Sequence, residues 1–147
     1  MYKSNYLKLE IQAQAENVAL VRLALSGFLS RYDLSIEVME EIKIALSEAV
    51  TNAIIHGYGN REENMVAIEF RYRDSELEIV VKDDGVGIED VKKAMEVAYS
   101  TKAEHMGLGF AFMGSFTDHL QVESKVGQGT VVHMRRRLED AFVKNAV

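Results

Sequence analysis

The chain contains no cysteine, no proline and no tryptophan. Without cysteine there is no disulfide and no thiolate-bound metal, so the fold rests on its packed core, and a reducing, cytoplasmic setting is expected. Without proline, helix ends must be set by polar caps and glycines. No apolar run approaches the ~20 residues that cross a bilayer as a helix. The first residues, MYKSNYLKLEIQ, lack the apolar stretch of a secretory signal. No membrane partner is therefore expected. A basic face is missing as well: 17 Lys and Arg stand against 23 Asp and Glu, for a net charge of −6. Direct nucleic-acid binding needs cations to neutralise phosphates and is not expected. The one basic cluster, Arg135, Arg136 and Arg137, reads as a strand end at solvent.

What is present is an ordinary globular composition, 48% hydrophobic and 27% charged over 147 residues. That suits one domain spanning residues 1–147. Residues 37–57, EVMEEIKIALSEAVTNAIIHG, form its organising stretch. At 100° per residue, Met39, Ile42, Ala49, Val50 and Ala53 fall within about 60° of Leu46 and make one apolar stripe. Glu41, Glu48, Asn52 and His56 make a second, polar stripe, turned away from the first. Glu48 and Asn52 lie one turn apart, placing a carboxylate beside a carboxamide oxygen. Together they offer a base and a ligand for a hard cation such as Mg²⁺. A solvated outer helix face would carry the same residue types.

The rest alternates in pattern. A half-buried strand is expected over residues 6–12, then a helix over residues 16–31 with Leu20, Leu23, Ala24, Gly27 and Phe28 as its apolar stripe and Arg22 off it. Asp33 and Ser35 are N-cap candidates for the long helix, and Gly57, Gly59 and Asn60 can end it. Two strands, residues 66–72 and 77–83, form a hairpin about Arg73, Asp74 and Ser75. By period two, Asp83 points to the side of Leu77, Ile79 and Val81, where a carboxylate needs a hydrogen-bond donor. Gly85 and Gly87 follow it and permit close backbone approach, or simply a turn. A short helix is expected over residues 88–97. Residues 98–106 read as a mobile cover carrying Ser100, Thr101 and Lys102. Gly107, Leu108, Gly109 and Phe110 then open a helix to about residue 116, whose first N–H groups suit a phosphate. Strands over residues 119–124 and 130–136 flank a turn at Gly127, Gln128 and Gly129, and the tail is helical or frayed. Segregated helices and hairpins indicate an α+β layer rather than a doubly wound sheet.

In their order and spacing, residues 48–52, 83–87, 107–109 and 127–130 resemble the signature of the GHKL ATP-binding superfamily. SEAVTNAIIHGY at residues 47–58, with the Asp83 box and GLGF at residues 107–110, is similar to the bacterial anti-sigma serine kinases, and most of all to the sporulation anti-sigma-F type. The resemblance covers nearly the whole chain. It implies the Bergerat α/β sandwich, a mostly antiparallel sheet with helices on one face. It implies ATP and Mg²⁺, with Asn52 on the metal and Glu48 as general base on the attacking hydroxyl. Asp83 would accept from the adenine amino group, with Gly85 and Gly87 passing close to the base and Thr130 at the adenine edge. Thr101 and Lys102 would belong to an ATP lid. Gly107, Leu108, Gly109 and Phe110 would present backbone donors to the phosphates. The implied partners are a sigma-F-type sigma factor, held inactive by a homodimer, and an anti-anti-sigma factor phosphorylated on serine. ATP would favour the first partner and ADP the second. Arg22 matches an exposed partner-binding arginine. His105 departs from the arginine usual there, and a neutral imidazole does not reproduce a bidentate guanidinium.

Two other readings share these motifs. A histidine-kinase catalytic domain would need a helical hairpin bearing a phosphoacceptor histidine, for which the chain has no room. A nucleotide-gated sequestering protein without kinase activity would not need Glu48.

Overall fold

The computed structural model of the chain describes residues 4–96 and 101–138, with residues 101–105 as backbone only. Five strands form one antiparallel sheet: β1 (Ser4–Gln12), β2 (Met65–Arg73), β3 (Glu76–Asp83), β4 (His119–Lys125) and β5 (Gly129–Arg137), in the order β1-β2-β3-β5-β4. Helices α1 (Asn17–Leu29), α2 (Ile36–Asn52) and α4 (Thr101–Phe116) cover one face, and α3 (Val91–Ala94) is a single turn. This is the α+β sandwich expected from the sequence.

Period-two alternation produces the sheet's two faces. Val66, Ile68, Phe70, Leu77, Ile79, Val81, Val132 and Met134 are buried toward the helices. The other face carries mostly polar cross-strand rows, one of them running Lys8, Glu69, Val80 and His133. The hairpin between β2 and β3 closes at Asp74 and Ser75, both with positive φ, the twist that a two-residue hairpin turn requires.

Helix α2 buries Ile42, Leu46, Ala49 and Val50 of the expected apolar stripe, with Ala45 beside them, while Met39 is half-buried and Ala53 is buried in the turn that follows. Of the two cap candidates, Ser35 caps it, its Oγ accepting from the Val38 N–H at 3.1 Å. Beyond Asn52 the chain widens into a π-helical turn, Ala53–Gly57. It ends in a left-handed cap of the αL type: Gly59 at φ 58° donates to the Ile55 carbonyl, and Asn60 donates to that of Ile54.

Three local expectations change. On α1 the buried residues are Val21, Leu25, Phe28 and Leu29, while Leu20 and Leu23 are 57% and 69% exposed. Two stripes at helical spacing overlap in this segment, and contact with the sheet selects the one containing Phe28, which packs on Phe70 at 5.6 Å between ring centroids. The arginine cluster is not all at solvent. Arg136 points to the helix side, pairs with Glu41 at 2.7 Å and donates to the Phe116 carbonyl. The polar stripe of α2 is thus engaged at its first end. Finally, α4 begins at Thr101 rather than Gly107. Ala, Glu, Lys and Met favour helix without any apolar periodicity, so a reading based on periodicity misses them.

Tyr58 ties the end of the π turn to the sheet. Its hydroxyl accepts from the Asp84 N–H and donates to the Met65 carbonyl, both at 2.7 Å, and the residue is 4% exposed. Tyr58→Phe orphans one donor and one acceptor and should cost about 1–3 kcal/mol of folding free energy, read from denaturant midpoints. A loss below about 0.5 kcal/mol, the range of a neutral surface change, would contradict this role.

Candidate active site

The π turn brings the end of α2 against the end of β3. The Val86 N–H donates to the Gly57 carbonyl at 2.9 Å. The approach tolerates no side chains: a Cβ at Gly85 would lie 2.0 Å from the Gly57 carbonyl oxygen, and one at Gly57 would lie 2.6 Å from Asp83 Oδ1. Gly129, at φ 100°, closes the third side, where a Cβ would meet the Asp83 carbonyl oxygen at 2.0 Å.

Asp83 is 5% exposed inside this glycine collar. Burial pushes its carboxyl up to about 6, the charge of Asp84 adds to the rise, and the N–H groups of Gly85 and Thr130 oppose it. The backbone therefore supplies part of the donor set that the sequence demanded. Asp83, Gly87, Ile88, Met106, Phe110 and Thr130 line a narrow cleft together with Asn52, Ala53, His56 and Gly57. Its volume is near 20 Å³, room for about one water.

Asn52 lines this cleft, Glu48 lies beside it, and both face α4. A Cβ at Gly109 would stand 2.9 Å from Glu48 Oε2 and 3.5 Å from Asn52 Oδ1. The Asn52 Nδ2 is buried with no hydrogen-bond partner. Buried amides seldom lack one, so such an atom points to a ligand or an ordered water. A carboxylate and a carboxamide side by side, close against Gly109, offer hard oxygens and a proton acceptor to one incoming group.

The structure thus brings together Glu48, Asn52, Asp83, Gly85, Gly87, Gly109, Phe110 and Thr130. Gly107 and Leu108 do not open their helix. They lie in its second turn, with Gly109 and Phe110 in its third, so none of the four is a first-turn donor. Gly107 packs instead against the backbone of Glu96, whose carbonyl oxygen a Cβ would meet at 2.8 Å. The side chains of Thr101, Lys102 and His105, and residue Ser100, lie outside the described residues. Arg22 stands on the α1 surface away from the cleft, donating to Ser47 Oγ at 3.0 Å and lying 3.8 Å from Glu40.

Sequence reasoning missed Gly57, Tyr58, Gly129 and Ser124. The glycine at 57 was read as a helix end and as part of the 47–58 motif but given no role at the site, because its contact with Asp83 exists only across the fold. Ser124 belongs to a strand whose alternation gave no hint of its three hydrogen bonds.

Residues 11–136 match the family model described as the histidine kinase-like ATPase domain. The chain is 42% identical over 137 residues to the anti-sigma F factor of Clostridium novyi, covering 92% of this chain and 96% of that protein. It is 41% identical over 140 residues to the anti-sigma F factor of Pasteuria penetrans, covering 93% of each. The chain belongs to the histidine kinase-like ATPase family, among the anti-sigma F factors. Among solved structures, the RsbU and RsbW domains of Rv1364c from Mycobacterium tuberculosis share its fold, with a TM-score of 0.65 at 19% identity over 95% of this chain and 33% of that one. The SiaB-SiaC complex from Pseudomonas aeruginosa does so with a TM-score of 0.64 at 13% identity over 88% of each chain.

The raised Asp83 value has a signed consequence. Its folded value of about 6 lies above the usual 3.8. Its contribution to stability is therefore complete below about pH 4 and is lost as pH rises to about 6. At neutral pH the ionised carboxylate costs the folded state on the order of 3 kcal/mol. Asp83→Asn should remove this component, so the difference in unfolding free energy between variant and wild type should change between pH 4 and pH 7. Parallel profiles for the two proteins would contradict the buried carboxylate.

Proposed function

We propose that this protein is an anti-sigma factor that uses Mg-ATP to phosphorylate a serine of its anti-anti-sigma factor. One observation carries the reading. Asn52, whose Nδ2 has no partner and which stands beside the Glu48 carboxylate, lines the same cleft as Asp83, whose carboxylate sits in a glycine collar. Such a cleft takes a ligand with an amino group at one end and a metal-bound anion at the other.

Asp83 accepts from the adenine amino group, with Thr130 beside it. Gly85 and Gly87 hold the loop close to the base. The carboxamide oxygen of Asn52 would hold Mg²⁺, a hard cation suited to oxygen ligands, and would leave the Glu48 carboxylate free as a base. When bound, Mg²⁺ neutralises charge on the phosphates. Glu48 accepts the proton of the attacking serine hydroxyl.

A cleft near 20 Å³ does not admit a purine with Met106 and Phe110 in place. Nucleotide entry therefore moves the start of α4. Unwinding its first turns carries Thr101 and Lys102 with it and frees the N–H groups of Gly107, Leu108, Gly109 and Phe110 for the phosphates. The same motion gives ATP and ADP forms different surfaces, which a switch between two partners requires. The partners are a sigma factor of the sigma-F type, bound by a homodimer in the cytoplasm, and the serine-bearing anti-anti-sigma protein. Arg22 and His105 contribute to the partner surface. The names of the close relatives support this assignment.

Incubation with labelled ATP, Mg²⁺ and both partners should label a serine of the anti-anti-sigma protein. Glu48→Gln should keep nucleotide affinity and lose about 10²–10⁴-fold in turnover. Asn52→Ala should weaken Mg-ATP binding itself. Undiminished turnover in Glu48→Gln removes Glu48 from the mechanism. Label on a histidine favours the histidine-kinase reading, and no label with sigma factor retained favours plain sequestration.

A further inference from the structure

Ser124 lies on β4, directly opposite Thr130 on β5. Its Oγ is at the centre of three hydrogen bonds. It accepts from the Ile88 N–H at 2.7 Å, lies 3.1 Å from the Gly129 carbonyl oxygen, and lies 2.7 Å from Thr130 Oγ1. A hydroxyl has one proton and two acceptor positions. The Gly129 carbonyl can only accept, so the Ser124 proton goes there. The Ile88 N–H fills one acceptor position on Ser124. The other is filled by the Thr130 hydroxyl, which must then be the donor between the two. With its proton committed to Ser124, Thr130 Oγ1 can only accept from the cleft that it lines. Asp83, its ladder partner on β3, is an acceptor at the same place.

We propose that Ser124 is a positioning residue that makes this cleft select a 6-amino purine over a 6-oxo purine, by holding the Thr130 hydroxyl as a pure acceptor. This rests on the assignment of the cleft to the base of ATP. An exocyclic amino group brings two N–H donors to the two acceptors, Asp83 and Thr130. A 6-oxo group brings a third acceptor, which a buried site rejects because its lone pairs go unmatched. Removal of Ser124 frees the Thr130 hydroxyl to rotate and donate, and the 6-oxo base is then tolerated.

The test is calorimetric binding of Mg-ATP and Mg-ITP, which differ in the purine 6-position and the protonation of the neighbouring ring nitrogen. The wild-type protein should prefer ATP. In Ser124→Ala the ATP/ITP affinity ratio should shrink about tenfold, with ITP gaining relative to ATP. Ser124→Thr keeps the hydroxyl and should keep the ratio. Ser124→Cys preserves the shape with a weak acceptor, should shrink the ratio likewise, and serves if the alanine variant fails to fold. In a Thr130→Val background, Ser124→Ala should leave the ratio unchanged, because Ser124 acts only through that hydroxyl. If Ser124 merely braces the loop at Ile88, both affinities fall together at constant ratio, and that result overturns the inference. A wild-type protein that binds neither nucleotide overturns the assignment of the cleft itself.

Discussion

The carboxylate of Asp83 is the constraint around which the rest is arranged. It stands at the end of a core strand, where ionisation is disfavoured and its value rises to about 6. Three glycines make room for it. Gly57, Gly85 and Gly129 each leave no space for a β-carbon because backbone or the carboxylate itself fills that place. The π turn delivers Gly57 to this position, since five residues in a widened turn redirect the end of α2 toward β3. Tyr58 then fastens the junction by bonding the backbone of both Asp84 and Met65. A site that keeps a costly charge in place with so much backbone is preorganised for a donor, and the amino group of a purine is one.

Helix α2 links this feature to the chemistry. Its apolar stripe is buried in the sandwich, so its polar stripe has a fixed direction. Glu41, at the start of the stripe, is locked to Arg136 on β5. Glu48 and Asn52, about two and three turns further toward the cleft, face Gly109 of α4 instead. The stripe is structural at one end and open to a ligand at the other. Because α4 packs on the open end, a movement of that helix is felt directly by Glu48 and Asn52. Under the proposed function, that coupling would give a physical route from nucleotide state to partner choice.

Much of this was legible in the residues. The apolar stripe of α2 and the alternation in β2 and β3 specify the layers, because burial follows periodicity closely there. Asp83 was conspicuous as a charge in core register. The stripe of α1 was not legible, because Leu20 and Leu23 share the helical spacing of the residues that are buried. The start of α4 was missed because residues 101–106 are good helix formers without an apolar pattern. Arg136 looked solvated because its partner Glu41 is distant in sequence. The roles of Gly57, Gly129 and Ser124 depend on approaches between distant segments, which no local pattern encodes. The match of the nucleotide motifs as a set nevertheless identified the family, as the anti-sigma F relatives bear out.

The most direct test is a crystal structure of the protein with Mg²⁺ and a non-hydrolysable ATP analogue. The account requires the adenine amino group on Asp83, the metal on Asn52, the γ-phosphate within reach of Glu48, and the start of α4 displaced from its present path. An analogue bound elsewhere, or one that leaves Asp83 and Asn52 untouched with α4 unmoved, would contradict it.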